Sequence, residues 1–294
     1  MTGFSSEEYE VQINAIFQRI REEHNDSKLA AIRKYLEIVV RRLMDYPSSR
    51  ALNLGTEKDH LKSKGYTEKW FWNAYDKIQK NGNVAVHTQS AITADSNVVS
   101  DCLNALYTIY SYLFYLYFRK YQFGSNKDVM SGFSHLPPII RLITLEKLFV
   151  DYPQNGYIAE KLVLASIKAK SYDYALQWIE KNRAQLSSIP NHCVWAREEK
   201  EGQHIYYIYY YYYYVPISLL GFKSMYPFCL HKAECNKNLT EQIMYHNFDE
   251  AVNYYRKFGI VKGDTAEVQE FNDLMKFTFM GKDKIYSEST VISV

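Results

Sequence analysis

Glycine and proline are scarce in this chain, with 12 and 7 residues in 294. That scarcity argues against a β sandwich or barrel, whose many turns consume both. An excess of one charge is also missing. The formal net charge is +2, so no global basic field advertises nucleic acid and only a local patch stays open. Cysteine is limited to four residues, Cys102, Cys193, Cys229 and Cys235. The opening segment, Met1 to Glu8, reads as a helix start and not as a secretory h-region, so the expectation is reduced thiols in a cytosolic protein. Long aliphatic runs are lacking. Leu103 to Phe118 is short and ends in Arg119-Lys120, and Ile205 to Phe222 carries eight Tyr and Pro216. A membrane span needs about 20 mostly apolar residues, so both stretches are expected as buried or interfacial helices, with no membrane partner. There is no Walker loop, Rossmann glycine pattern, His-Glu-x-x-His or nucleophile elbow. His192, Cys193, Cys229, His231 and Cys235 carry metal-ligating groups, but the Cys229-x-His231-x-x-x-Cys235 spacing is not that of a zinc knuckle. The reading is therefore no metal and no cofactor.

What is present is apolar and aromatic. Apolar residues make up 47% and aromatics 16%, with 28 Tyr, enough for a sizeable core. The 3.6-residue spacing predicts helices almost throughout. Val11, Ile13, Ile16, Phe17 and Ile20 mark the first. Leu29, Ile32, Leu36, Val39, Val40 and Leu43 mark the second, up to Pro47, with Arg33, Lys34, Glu37, Arg41 and Arg42 off the stripe. A short helix near Glu57 to Lys64 closes at Gly65. Trp70, Phe71, Ala74, Tyr75 and Ile78 line the next, and Asp95-Ser96-Asn97 caps a long helix that ends at Gly124. The expectation is an all-α chain: a bundle over residues 1–124, a linker at 125–137, and a module of helical hairpins over 138–294. Ala159, Leu162, Ser166, Tyr172, Ala175 and Ile179 are spaced like a tetratricopeptide unit, and Asn247 to Tyr255 repeats its turn-plus-helix pattern. The run Tyr206 to Tyr214 is expected as a helix buried between neighbours or at a subunit interface, and the tail after Lys282 as a loose or extended segment.

Chemistry is concentrated in one stretch, Lys80-Asn81-Gly82-Asn83-Val84-Ala85-Val86-His87. It sets a cation, amides, a glycine and a histidine at what reads as a helix break, with Gly82 free to leave helical geometry. His87 is the one residue there suited to proton transfer near neutral pH, although a helix-capping or carboxylate-bound histidine is the plainer reading. Asn83 either locks the loop backbone or meets substrate. Glu37 either pairs with Lys77 or Lys80 or orients the site. Trp70, Trp72 and Tyr75 are either core or a platform for bases.

Gly82-Asn83-Val84-Ala85-Val86-His87, with Ala31-Ile32-Arg33-Lys34-Tyr35-Leu36-Glu37 and the long Leu- and Tyr-rich helix that follows, resembles the HEPN superfamily over residues 5–122. The likeness is greatest to the branch found beside restriction and other bacterial defence genes. It implies an antiparallel four-helix bundle and a dimer with both motifs facing one cleft. The family's nucleases pair a basic residue, usually Arg, with a His. Here Lys80 takes the basic slot, Asn81 the adjoining polar slot and His87 the histidine. The implied activity is metal-independent RNA cleavage by a toxin or effector of phage defence. His87 would be acid/base, Lys80 and Asn81 would sit on the phosphate, and Asn83, Lys77, Glu37 and Arg33 would contact substrate. The competing reading is a non-catalytic subunit that binds RNA or nucleotide and dimerises through its N-terminal domain. The C-terminal helices would sense or bind a protein partner in the first reading and serve as a scaffold in the second.

Overall fold

The computed structural model describes residues 9–20, 24–86, 95–189, 194–201, 204–211, 221–240 and 261–278. The fold is all-α, with one two-stranded hairpin. The chain divides into two compact units, Met1–Phe114 with Ala251–Val294, and Tyr115–Glu250.

The first unit is built around α2 (Asn25–Met44). Ten of its residues are buried, and the set includes the whole predicted stripe from Leu29 to Leu43 together with Tyr35 and Ile38. So wide an apolar face needs cover on several sides. α1 (Glu10–Ile20) and α4 (Lys69–Val86) both pack against α2. α2 ends where Asp45 enters the left-handed region, φ 56°, two residues ahead of the proline that was expected to stop it. α3 (Leu54–Ser63) is opened by the Asn53 side chain, which accepts from the Gly55 amide, and Gly65 at φ 95° turns the chain toward α4. α5 (Ser96–Lys120) follows, and the unit boundary falls inside it.

The last described helix also belongs here, and this changes the expected division of the chain. α12 (Ala266–Phe277) is not part of a continuous 138–294 domain. Phe271, Leu274, Met275 and Phe277 are fully buried, and the buried Tyr35 hydroxyl donates to the Phe277 carbonyl at 3.1 Å.

The second unit holds α6 (Lys127–Ser134), α7 (Pro138–Asp151), α8 (Gly156–Ala169), α9 (Tyr172–Lys181), α10 (Arg183–Ser188) and α11 (Met225–Cys235). The segment expected as a linker, 125–137, instead contains α6, capped by Asn126 and burying Val129 and Phe133. α8 and α9 form the predicted hairpin, with Asn155 and Ser171 as their N-caps and Ala159, Leu162, Ser166, Ala175 and Ile179 buried. α11 packs on both. The second repeat-like segment, Asn247 to Tyr255, and the tail after Lys282 lie outside the described residues.

The described part of the tyrosine run, Tyr206–Tyr211, is a strand and not a helix, and residues 212–214 lie outside the described residues. β1 (Val194–Glu201) and β2 (His204–Tyr211) pair antiparallel, with Val194 opposite Tyr211 and Glu201 opposite His204. An unbroken Tyr and Ile run carries no helical period, and both residue types favour the pleated strand. Among the described residues, no helix is long and apolar enough to cross a membrane.

Candidate functional site

Gly82 does not break the helix: α4 continues without interruption from Lys69 to Val86. A glycine inside a helix costs about 1 kcal/mol relative to alanine, so its place there needs another reason. The reason is α2. A Cβ at Gly82 would lie 2.6 Å from the Arg33 Cβ and 2.8 Å from its Cδ. The missing side chain lets the stem of Arg33 lie directly on the α4 backbone.

That close approach sets the head group of Arg33. Its Nε donates to Asn83 Oδ1 at 2.9 Å, and its Nη1 pairs with Glu37 Oε1 at 2.7 Å one turn further along α2. Glu37 therefore pairs with Arg33, where the sequence leaves open a pairing with Lys77 or Lys80 or a role in orienting the site. Three of the seven predicted site residues, Arg33, Glu37 and Asn83, form one cluster at the α2–α4 seam.

Two others turn the opposite way. Lys77 and Asn81, one turn apart, both face α5. The Lys77 ammonium pairs with Asp101 at 3.3 Å, and the Asn81 amide donates to Cys102 Sγ at 3.4 Å. Burial pushes the Cys102 thiol above its ordinary value. Lys80 lies between these faces, exposed, with no hydrogen-bond or ion-pair partner among the described residues. His87 lies outside the described residues.

Of the α4 aromatic residues, Phe71, Trp72 and Tyr75 belong to the core, while Trp70 is half-buried. The Tyr75 hydroxyl donates to Leu54 O at 2.6 Å, and Trp72 Nε1 donates to Tyr66 O at 2.9 Å, both in buried surroundings. Trp70 packs edge-on against Tyr112 with ring centroids 5.2 Å apart.

A groove between α1 and α2 is lined in part by Lys34, Glu37 and Arg41, charged residues that the sequence places only off the apolar stripe of α2. It encloses about 300 Å³. Arg19, Lys34 and Arg41 line it over an apolar floor of Ile16 and Ile38. Glu37 lines it too, and so joins the groove to the Arg33–Asn83 cluster. The available signal was the density of cations on α2, where Arg33, Lys34, Arg41 and Arg42 flank one apolar stripe.

Among the described residues, no three His, Cys, Asp or Glu side chains come together as a metal site. His231 and Cys235 touch, Sγ to Nε2 3.5 Å, while Cys229 is buried, and His192 and Cys193 lie outside the described residues. No protein-family model, curated protein or solved structure matches this chain.

Proposed function

We propose that the first unit is a HEPN-type, metal-independent endoribonuclease that engages RNA along α2 and at the α2–α4 seam, and that it serves as a toxin or effector in phage defence. The observation that carries the reading is the cross-helix cluster of Arg33, Glu37 and Asn83. It holds a planar guanidinium against the α4 turn that carries Lys80 and Asn83. Lys80 alone offers a phosphate only a point charge, whereas Arg33 adds a planar guanidinium that its Nε contact to Asn83 and Nη1 contact to Glu37 hold in a fixed orientation.

In this mechanism the ribose 2′-hydroxyl attacks the adjacent phosphate. His87 accepts the 2′ proton, the bond to the 5′ oxygen of the next nucleotide breaks to leave a 2′,3′-cyclic phosphate, and the proton taken up by His87 passes to the departing 5′ oxygen. Arg33 and Lys80 stabilise the charge that gathers on the phosphorane oxygens. Arg19, Lys34 and Arg41 in the neighbouring groove hold the flanking backbone by charge alone, so binding weakens as salt rises.

One observation favours a second reading, a binding subunit without cleavage. Lys77 and Asn81, two of the residues expected at the substrate, are engaged with Asp101 and Cys102. A single experiment separates the two. Purified protein is incubated with total RNA and tRNA in EDTA, alongside His87→Ala and Arg33→Lys variants, and RNA binding is followed by fluorescence anisotropy. The nuclease reading expects cleavage that is lost in His87→Ala and reduced at least 10-fold in Arg33→Lys, with binding retained by His87→Ala. Binding without cleavage in every variant selects the scaffold reading. Absence of both overturns the assignment of RNA to this surface.

A further inference from the structure

The second unit contains a cavity of about 330 Å³ that plays no part in the RNA reading. Three helices build it, each offering one face. α6 contributes Lys127, Ser131 and Ser134, spaced by a turn and by two turns; α7 contributes Arg141; and α8 contributes Lys161 and Lys168, two turns apart. Among the described residues, all four charged side chains lining the cavity are cations and no carboxylate lines it. Phe133 and Leu145, both buried, form an apolar wall.

The arrangement is costly as it stands. Like charges brought together at a partly dehydrated surface repel, and natural proteins neutralise them with neighbouring carboxylates. Lys127, Lys161 and Lys168 have no ion-pair or hydrogen-bond partner among the described residues. The surroundings register the effect. Burial and then the Arg141 guanidinium push the Lys168 ammonium below its ordinary value, and the same two causes lower the His135 imidazole at the end of α6. Elsewhere in this unit a half-buried lysine is matched: Lys232 pairs with Glu160 at 2.8 Å. Lys127, Lys161 and Lys168 lack such a counter-charge among the described residues, and the space in front of them is the size of a small-molecule site.

We infer that this cavity, lined by Lys127, Arg141, Lys161 and Lys168, binds a nucleoside phosphate. The phosphates sit among the four cations, the serine hydroxyls of α6 add hydrogen bonds, and the base lies on the wall formed by Phe133 and Leu145. The size and the chemistry point to a small ligand with a polyphosphate head and a flat apolar body. An extended single strand is expected to need an open, charged track.

Calorimetric titration of the full-length protein tests the assignment. The probes are ATP, ADP, AMP, pyrophosphate, adenosine and a short single-stranded RNA, each against wild type, Lys161→Gln/Lys168→Gln and Lys127→Glu. Affinity is expected to rise from AMP to ATP and to exceed that for pyrophosphate. Adenosine is expected not to bind. The double variant should lose at least 10-fold in affinity for ATP. Lys127→Glu, at an exposed position, should lose several-fold while its thermal unfolding stays that of wild type, which separates lost binding from lost folding. No binding of ATP at millimolar concentration, equal binding by wild type and both variants, or binding of RNA alone would overturn the inference.

Discussion

The Arg33 guanidinium donates through Nε to the Asn83 side-chain oxygen at 2.9 Å, across a gap of 50 residues in the chain. The same guanidinium pairs with Glu37, so one side chain of α2 ties its own helix to α4. The contact is half-buried and charge-assisted, which makes it stronger than a neutral surface hydrogen bond.

A double-mutant cycle on Arg33→Ala and Asn83→Ala should therefore return a coupling energy of about 0.5–2 kcal/mol, measured by urea unfolding. Arg33→Ala should cost more than Asn83→Ala, because it also removes the partner of Glu37. Additive single effects, within about 0.3 kcal/mol, would mean that the contact contributes nothing to the seam.

Gly82→Ala should destabilise the protein, against the ordinary preference of helices for alanine. Alanine in place of glycine inside a helix gains up to about 1 kcal/mol. Here the new Cβ would meet the Arg33 Cβ at 2.6 Å, an atom fixed to the α2 backbone that cannot swing aside. Overpacking of this kind costs about 1–3 kcal/mol, so the net change is a loss. Thermal unfolding of Gly82→Ala should show a lower Tm than wild type. Gly82→Ala in an Arg33→Ala background should lose less, because part of the obstructing stem is gone.

These two residues also mark the limit of what the sequence discloses. The stripe from Leu29 to Leu43 was legible because a 3.6-residue period needs no partner to be seen, and α2 buries all of it. Gly82 was legible as a special position but not as to kind. Glycine serves a helix break and a close backbone approach equally well, and only the arrival of Arg33 decides between them. The Tyr206–Tyr211 segment has no period at all, so composition had to stand for pattern, and the helix expected there is a strand. The membership of α12 in the first unit rests on contacts such as Tyr35 to Phe277, 242 residues apart, which no local signal encodes. Within the site, Asn81 and Asn83 look alike in the chain. The helix turn sends one toward α5 and the other toward α2.

Tyr35→Phe tests how firmly α12 is held. The Tyr35 side chain is fully buried, and its hydroxyl donates to the Phe277 carbonyl. Removing the hydroxyl leaves that acceptor without this donor, at a cost of about 1–2 kcal/mol. Hydrogen exchange should show faster exchange in α12 than in α3. Uniform loss of protection throughout the unit would mean that α12 opens only with the whole unit.

Tyr66 gives the first unit an alkaline limit. Its hydroxyl donates to Leu43 O at 3.0 Å, and burial, aided by the Asp45 and Glu68 carboxylates, pushes the phenol up to about 12. In the unfolded chain a tyrosine titrates near 10. The folded form therefore holds its proton over the interval where the unfolded form gives it up. The contribution of Tyr66 is complete below about pH 10 and is lost as the pH rises toward 12. The stability difference between wild type and Tyr66→Phe should accordingly shrink over that interval. A difference that stays constant would show that the phenol titrates alike in both states.

In the second unit, Lys232 on α11 reaches Glu160 on α8, whose side chain is 6% exposed, at 2.8 Å. Lys232→Met keeps the apolar stem and removes the charge, leaving the carboxylate nearly dry and without its partner. Because the lysine itself is partly open to water, the loss should fall at or below the low end of the range for a broken buried pair, about 1–3 kcal/mol. Glu160→Gln alone should cost less, since the lysine can turn to solvent while the amide stays buried. The double variant should recover part of the loss from Lys232→Met, because no buried charge remains. Urea unfolding of the three variants distinguishes a real charge pair from two side chains that happen to be near each other: recovery in the double variant requires the pair, and simple addition of the two losses excludes it.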